Sequence, residues 1–261
     1  MNILRVMDSA STLFSKKTTV ILIHAESREV INTHVINNFL LPEEFNKPTI
    51  LEIVDTCWRV VKVGNYIPGS YFRVPKISLY VTHQDTPLAE NTFLVPTKAV
   101  FDEAYIKCAT PSFNDFILSL TNDEWLQLEF VPLENINLIQ ETTSIIETII
   151  NSPDEHNHLL GYSNCQVRMP AHNSQLKIPF DNFCSFINIK EKGSILGPQN
   201  AIIEHGFSLK SENHIYYGVT KKGIISKLAM KGFDCIDDEL SDLLTKYKLA
   251  FVDWCNASIL S

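Results

Sequence analysis

The sequence predicts an α+β fold, with a β-rich N-terminal part and a β-α-α-β unit at the C-terminal end. Three features support this prediction: apolar and alternating runs in the first third, one strongly periodic segment in the middle, and helical patterns between strand-like runs in the last quarter. Because strand and helix signals both occur and are grouped along the chain, the pattern favours α+β over an all-β or an all-α class.

The first third contains four segments with the patterns of β-strands. Thr18–His24 is apolar and β-branched, which predicts a buried strand. Ile50–Val54 and Trp58–Val63 flank Asp55-Thr56-Cys57, which predicts a hairpin. Lys76–His83 alternates between apolar and polar residues, so one face of this strand is expected to be buried. The predicted buried side chains are Ile77, Leu79 and Val81.

The middle of the chain predicts one amphipathic helix after a strand at Trp125–Val131. The helix is expected over Glu134–Asn151 and to end at Ser152-Pro153. Residues 152–174 are polar and contain three histidines, which is typical of a boundary or a long loop. We therefore predict an N-terminal part, 1–151, and a C-terminal part, 152–261. The apolar stripe of the helix consists of Ile136, Ile139, Thr143, Ile146 and Ile150.

The last quarter supplies the β-α-α-β prediction. A strand at His214–Val219 is followed by a predicted helix at Thr220–Lys231, with Thr220 as its N-cap and Gly232 just beyond its end. Asp237 is predicted to cap a second helix, and Leu249–Trp254 returns as a strand. The predicted buried face of the second helix is Leu240, Leu243, Leu244 and Tyr247.

Composition argues against several classes of function. The 261 residues are 45% hydrophobic and 20% charged, which is typical of a soluble globular protein. The nine glycines form no phosphate-binding loop, so no nucleotide cofactor is predicted. The net charge of −8 is spread evenly without a basic patch, so nucleic acid is not the expected partner. Without an apolar run near ~18 residues or a signal peptide, we expect a cytoplasmic protein that does not bind membranes.

One cysteine suggests an enzymatic alternative. Cys165 follows His156 and His158 in the polar segment, and a thiolate nucleophile needs a nearby base. Asn164-Cys165 resembles the Asn-Cys element of permuted papain-like acyl enzymes, in which the histidine precedes the cysteine. The resemblance implies a cysteine-dependent hydrolase or acyltransferase. The Glu-His expected after that cysteine is replaced by Gln166-Val167.

Two further segments contain residue types that commonly bind metal ions or anions. His156-Asn157-His158 follows Asp154 and Glu155, but a solvated loop explains these residues better than a metal site, and no metal is predicted. The sequence Thr220-Lys221-Lys222-Gly223 places two lysines in the first turn of the predicted helix, where they oppose the helix dipole. An anion held by the free amides would resolve this conflict, so an anion site is one interpretation and an exposed, slightly unfavourable turn is the other.

The densest acidic cluster leads to the predicted function. Capping accounts for Asp237 to Glu239, whereas Asp238 and Asp242 lie four residues apart and repel each other. Negative charge gathered at a cost in stability is typical of a surface that binds a basic protein. Because catalytic motifs are absent, the sequence favours a non-enzymatic inhibitor or immunity-type protein that neutralises a toxin or an enzyme. The predicted partner-binding residues are Asp237, Asp238, Glu239 and Asp242.

Overall fold

The chain folds into two units that are discontinuous in sequence. The first unit comprises Met1–Val95 and Pro153–Asn164, and the second comprises Pro96–Ser152 and Cys165–Ser261. This division differs from the predicted parts 1–151 and 152–261, because residues 96–152 join the C-terminal residues. The computed structural model describes residues 2–5, 17–38, 41–42, 45, 47–53, 56–64, 76–88, 90–101, 110–152, 158–169, 176–197, 200–233 and 235–261.

The first unit is built on a six-stranded mixed sheet. The strand order is β1-β4-β5-β6-β2-β3, with β1–β4 and β2–β6 parallel and the other neighbours antiparallel. A sheet of this kind needs long connections where parallel strands adjoin. The strands are β1 (Asn2–Arg5), β2 (Lys17–His24), β3 (Val30–Asn37), β4 (Thr49–Ile53), β5 (Thr56–Gly64) and β6 (Lys76–His83).

The core of this unit is formed by apolar side chains that alternate along its strands. The predicted buried residues of β6 are confirmed, since Ile77, Leu79 and Val81 are fully buried. The predicted hairpin is also confirmed: β4 and β5 pair antiparallel from Ile53 opposite Thr56. Thr56 and Cys57, which are predicted to lie between the strands, belong to β5 instead, and residues 54–55 lie outside the described residues.

The second unit contains a nine-stranded sheet. Its order is β17-β16-β9-β15-β14-β13-β12-β8, with β11 beside β15, and all neighbours are antiparallel except β8 and β12. A separate parallel pair joins β7 and β10. The strands are β7 (Thr97–Ala99), β8 (Phe116–Ser119), β9 (Leu128–Pro132), β10 (Gln166–Arg168), β11 (Ile178–Pro179), β12 (Glu191–Leu196), β13 (Gly206–Lys210), β14 (Ile215–Lys221), β15 (Ile224–Met230), β16 (Leu249–Asp253) and β17 (Ser258–Leu260).

Helices cover both faces of this sheet. Helix α1 (Ile136–Ile150) packs on Ala250 and Val252 of β16, and the predicted stripe is confirmed with Ile139, Thr143 and Ile146 buried. Helices α2 (Phe180–Phe186) and α3 (Asp238–Tyr247) pack in the cluster that contains Leu249 and Phe251. Because successive residues of β16 point to opposite faces, α1 lies on one side and α2 with α3 on the other. No helix among the described residues is long and apolar enough to cross a membrane.

The predicted helix at Thr220–Lys231 is wrong. Strands β14 and β15 pair antiparallel there, with Lys221 opposite Ile224. Lys222 and Gly223 form the turn with φ of 54° and 76°, the two positive values that a tight two-residue hairpin turn needs. Gly223 and the β-branched residues after it are turn and strand signals, whereas a glycine inside a helix is destabilising by about 1 kcal/mol. The C-terminal order is therefore β-β-α-β, while α3 and its Asp237 cap are confirmed.

Candidate functional site

Asp237 closes the start of α3 and is held by three partners. Its Oδ1 accepts a hydrogen bond from the backbone N–H of Leu240 at 2.9 Å. Its Oδ2 accepts from Asn213 Nδ2 at 2.8 Å and lies 2.9 Å from His214 Nε2. Burial acts to raise the pKa of Asp237, but these hydrogen bonds outweigh it and the pKa is lowered. The Asp237 carboxylate therefore makes its hydrogen bonds within the fold.

Glu239 also points into the protein. Its Oε1 accepts a hydrogen bond from the Tyr216 hydroxyl at 2.7 Å. Burial raises the pKa of Tyr216, and the neighbouring Glu239 carboxylate raises it further, so the phenol stays protonated as the donor. Two of the four predicted binding residues thus have internal roles.

Asp238 and Asp242 are exposed on the outer side of α3. Neither makes a hydrogen bond or an ion pair with another described residue. Asp238 lies in the first turn, where the helix dipole favours a carboxylate, but Asp242 lies beyond that turn. The cation one turn further on, Lys246, lies with its Nζ 4.1 Å from the ring centroid of Phe186. Asp242 is therefore a surface charge that the helix itself does not explain.

An exposed isoleucine, Ile236, precedes the cap of the helix that carries these two carboxylates, and sequence reasoning missed it. Ile236 precedes the cap and has 55% of its surface exposed. A residue at this position commonly packs against the fourth residue of the helix, but here that residue is the exposed Ser241. The polar residue at position 241 is the signal that Ile236 lacks an apolar neighbour. We call Ile236, Asp238 and Asp242 the α3 acidic surface.

The surroundings of Cys165 disfavour the thiolate form that a nucleophile needs. Burial raises the pKa of its thiol to about 11, with Lys98 acting in the opposite direction. At pH 7 only about one thiol in 10,000 of that pKa is a thiolate. Of its two proposed bases, His156 lies outside the described residues, and His158 begins a short 3₁₀ turn in the first unit, His158–Leu160.

The predicted anion site loses its structural basis. Thr220 and Lys221 end β14, and Lys222 with Gly223 forms the hairpin turn, so no helix N-terminus presents free amides. The Thr220 N–H and hydroxyl both donate to the carbonyl of His205. Within the described ranges, no group of three His, Cys, Asp or Glu side chains is placed to hold a metal ion. Asp154, Glu155 and Asn157 lie outside those ranges.

Arg168 and Glu129, two largely buried charged residues of the second unit, form an ion pair within the fold. Arg168 Nη1 lies 3.0 Å from Glu129 Oε2, and its other guanidinium nitrogens donate to Thr97 Oγ1 and to the carbonyl of Leu126. Trp254 Nε1 donates to the same Glu129 oxygen at 3.0 Å. All three guanidinium nitrogens are occupied, so this cluster fastens β9, β10 and the loop at residue 126 together.

Comparison with known proteins identifies no relative: no family model, curated protein or solved structure matches this chain. Its function is therefore inferred from the side chains that the fold exposes.

Proposed function

We propose that this chain is a non-enzymatic protein-binding protein, of the inhibitor or immunity type, that covers a basic toxin or enzyme with its α3 acidic surface. The observation that carries the proposal is the exposed apolar side chain of Ile236 just before α3, together with the two exposed, unpaired carboxylates of Asp238 and Asp242 in the first half of that helix. Protein interfaces commonly combine an apolar anchor with a charged rim. Asp237 and Glu239 support this surface by fixing the start of the helix.

Charge supports a basic partner. The whole chain carries a net charge of −8, which attracts a cationic protein over a distance of about one Debye length, ~8 Å in physiological salt. Close to the surface, Asp238 and Asp242 form no ion pair with any residue that the structure describes. Their expected contribution is to the rate of association rather than to the lifetime of the complex.

The enzymatic alternative receives no support from the described chemistry. A thiol with a pKa of about 11 is protonated at neutral pH, whereas catalytic cysteines have a lowered pKa. We therefore do not propose a cysteine-dependent hydrolase.

A capture experiment with matched variants tests the proposal. Wild type, Asp238→Asn/Asp242→Asn and the control Glu26→Gln/Glu90→Gln are each immobilised and exposed to lysate of the native host. The control removes the same charge from exposed, unpaired carboxylates of the first unit. We expect wild type and control to retain the same basic protein and the α3 variant to lose it. Equal capture by all three would refute this assignment of the surface.

A further inference from the structure

A groove in the second unit is lined by residues from several elements. It has a volume of about 590 Å³ and lies at the C-terminal end of α3. Its apolar lining residues include the buried Leu176, Ile178 and Leu249, which we call the apolar floor, and Leu133, which is 40% exposed. Three lysines line the same groove: Lys177, Lys246 and Lys248.

The lysines of the groove differ from most others in the same unit. Five lysines of the second unit each lie within 4.0 Å of a carboxylate, in the pairs Lys98–Asp123, Lys190–Glu212, Lys210–Glu191, Lys227–Glu129 and Lys231–Glu124. By contrast, Lys177, Lys246 and Lys248 form no ion pair with a described residue. Glu134 is the one carboxylate among the lining residues, so the groove carries an excess of two positive charges in a chain of net charge −8.

Of the two groove lysines at the end of α3, the helix explains one and not the other. Lys246 lies in the last turn, where the helix dipole accounts for a cation. Lys248, however, adopts the left-handed conformation with φ of 53°, a position that glycine normally fills. A lysine in this backbone conformation is less stable than a glycine would be. The hydroxyl of Tyr247, in the groove wall, is buried and has no hydrogen-bond partner among the described residues, so it is a donor left unused.

We infer that this groove binds an acidic segment of a partner protein, with carboxylates at the three lysines and an apolar side chain on the floor. The positive excess selects carboxylates, and the buried Leu176, Ile178 and Leu249 select an apolar neighbour. Small-molecule sites enclose most of their ligand, whereas this groove is only partly enclosed. A segment of a larger partner fits that shape. This inference is independent of the α3 acidic surface.

The test uses a fluorescein-labelled, acetylated pentapeptide that alternates glutamate and leucine. Its binding is measured by anisotropy with wild type, with Lys177→Gln/Lys248→Gln, and with the control Lys221→Gln/Lys222→Gln. The control removes the same charge from the exposed hairpin turn. We expect the groove variant to weaken binding about fivefold or more and the control to change it less than about twofold.

Three results would overturn the inference. Equal losses in both variants would mean attraction to any exposed lysine, and no binding at about 1 mM would mean that the groove is not a site. Equal binding of a peptide with serine in place of leucine would remove the role of the apolar floor. Complete displacement of the probe by free octanoate would assign the groove to a small carboxylate instead of a protein segment. Capture by the α3 acidic surface is unaffected by any of these results, so the two proposals fail separately.

Discussion

Arg168 illustrates how a single side chain can hold distant parts of a fold together. Its guanidinium contacts Thr97, Leu126 and Glu129, and it lies 4.4 Å from the ring of Trp254. Burial lowers the pKa of Arg168, and the Glu129 carboxylate acts to raise it. A buried ion pair of this kind is costly to break, because removing one partner leaves the other charge uncompensated.

Replacing Arg168 by alanine is therefore expected to reduce the free energy of unfolding by about 3 kcal/mol or more, measured by urea titration. The matched control is Lys190→Ala, since Lys190 and Glu212 are an exposed pair 3.7 Å apart. Surface pairs contribute about 0–1 kcal/mol, so the control should change little. Similar small losses in both variants would show that the Arg168 cluster does not stabilise the fold.

The thiols provide a second test at this scale. Cys235 is exposed, whereas Cys165 is half-buried with a pKa of about 11. At pH 8 we expect iodoacetamide to modify Cys235 first and Cys165 slowly, with the rate at Cys165 increasing as the pH approaches 11. Mass spectrometry of the peptides measures both rates. Fast modification of Cys165 at pH 7 would instead indicate an activated thiol, and it would support a cysteine-dependent hydrolase.

At the scale of elements, local periodicity predicts those strands and helices in which the buried side chains recur at one regular spacing. Strand β6 alternates with period two, and α1 repeats its apolar residues every three or four positions, so both were predictable from the sequence. The sequence does not predict the hairpin β14–β15, because Thr220 and Gly232 match the residue types of a helix N-cap and of a helix end. Ile236 was missed because its exposure depends on the residue at 241, one turn into the helix.

The cap of α3 predicts a defined response to acid. The pKa of Asp237 is lowered in the folded protein, so the unfolded chain takes up the proton first as the pH falls. The stabilisation by this carboxylate is therefore present above its unfolded pKa of about 3.9 and is lost as the pH falls through the folded value. Asp237→Ala should cost about 1 kcal/mol of unfolding free energy at pH 7.

Urea unfolding at pH 7 and at about pH 3 measures this effect. The difference between wild type and Asp237→Ala should shrink in acid, because the protonated wild-type side chain is a poorer acceptor. Asp238→Ala is the control, since Asp238 is exposed and should cost only a few tenths of a kcal/mol, ~0.3. A difference that grows towards pH 3 would contradict the assigned role of Asp237.

At the scale of the whole molecule, long-range pairing determines the two units. Strand β9 pairs with β15 and β16, and β8 pairs with β12, so these two strands share one sheet with residues far along the chain. Pairings between such distant segments leave no pattern in the local sequence. Local composition therefore predicts a boundary at 151/152, but it cannot predict units that are discontinuous along the chain. The Arg168 cluster escaped prediction for the same reason, because Trp254 and Glu129 are 125 residues apart.

The distribution of charge over the molecule was also only partly predictable. The sequence shows a net charge of −8 and an acidic cluster near α3. The fold divides that cluster, turning Asp237 and Glu239 inward and leaving Asp238 and Asp242 outside. It also leaves three unpaired lysines around one groove, although Lys177 lies about 70 residues before the other two.

The central claim, that unpaired carboxylates of α3 steer a basic protein onto this chain, is tested most directly by the association rate constant. Stopped-flow measurements with the captured partner should show association slowing about tenfold between ~0.05 and ~0.5 M salt. Asp238→Asn/Asp242→Asn should associate more slowly at low salt and show a smaller salt dependence. An association rate that is independent of salt, and equal in wild type and variant, would contradict the claim.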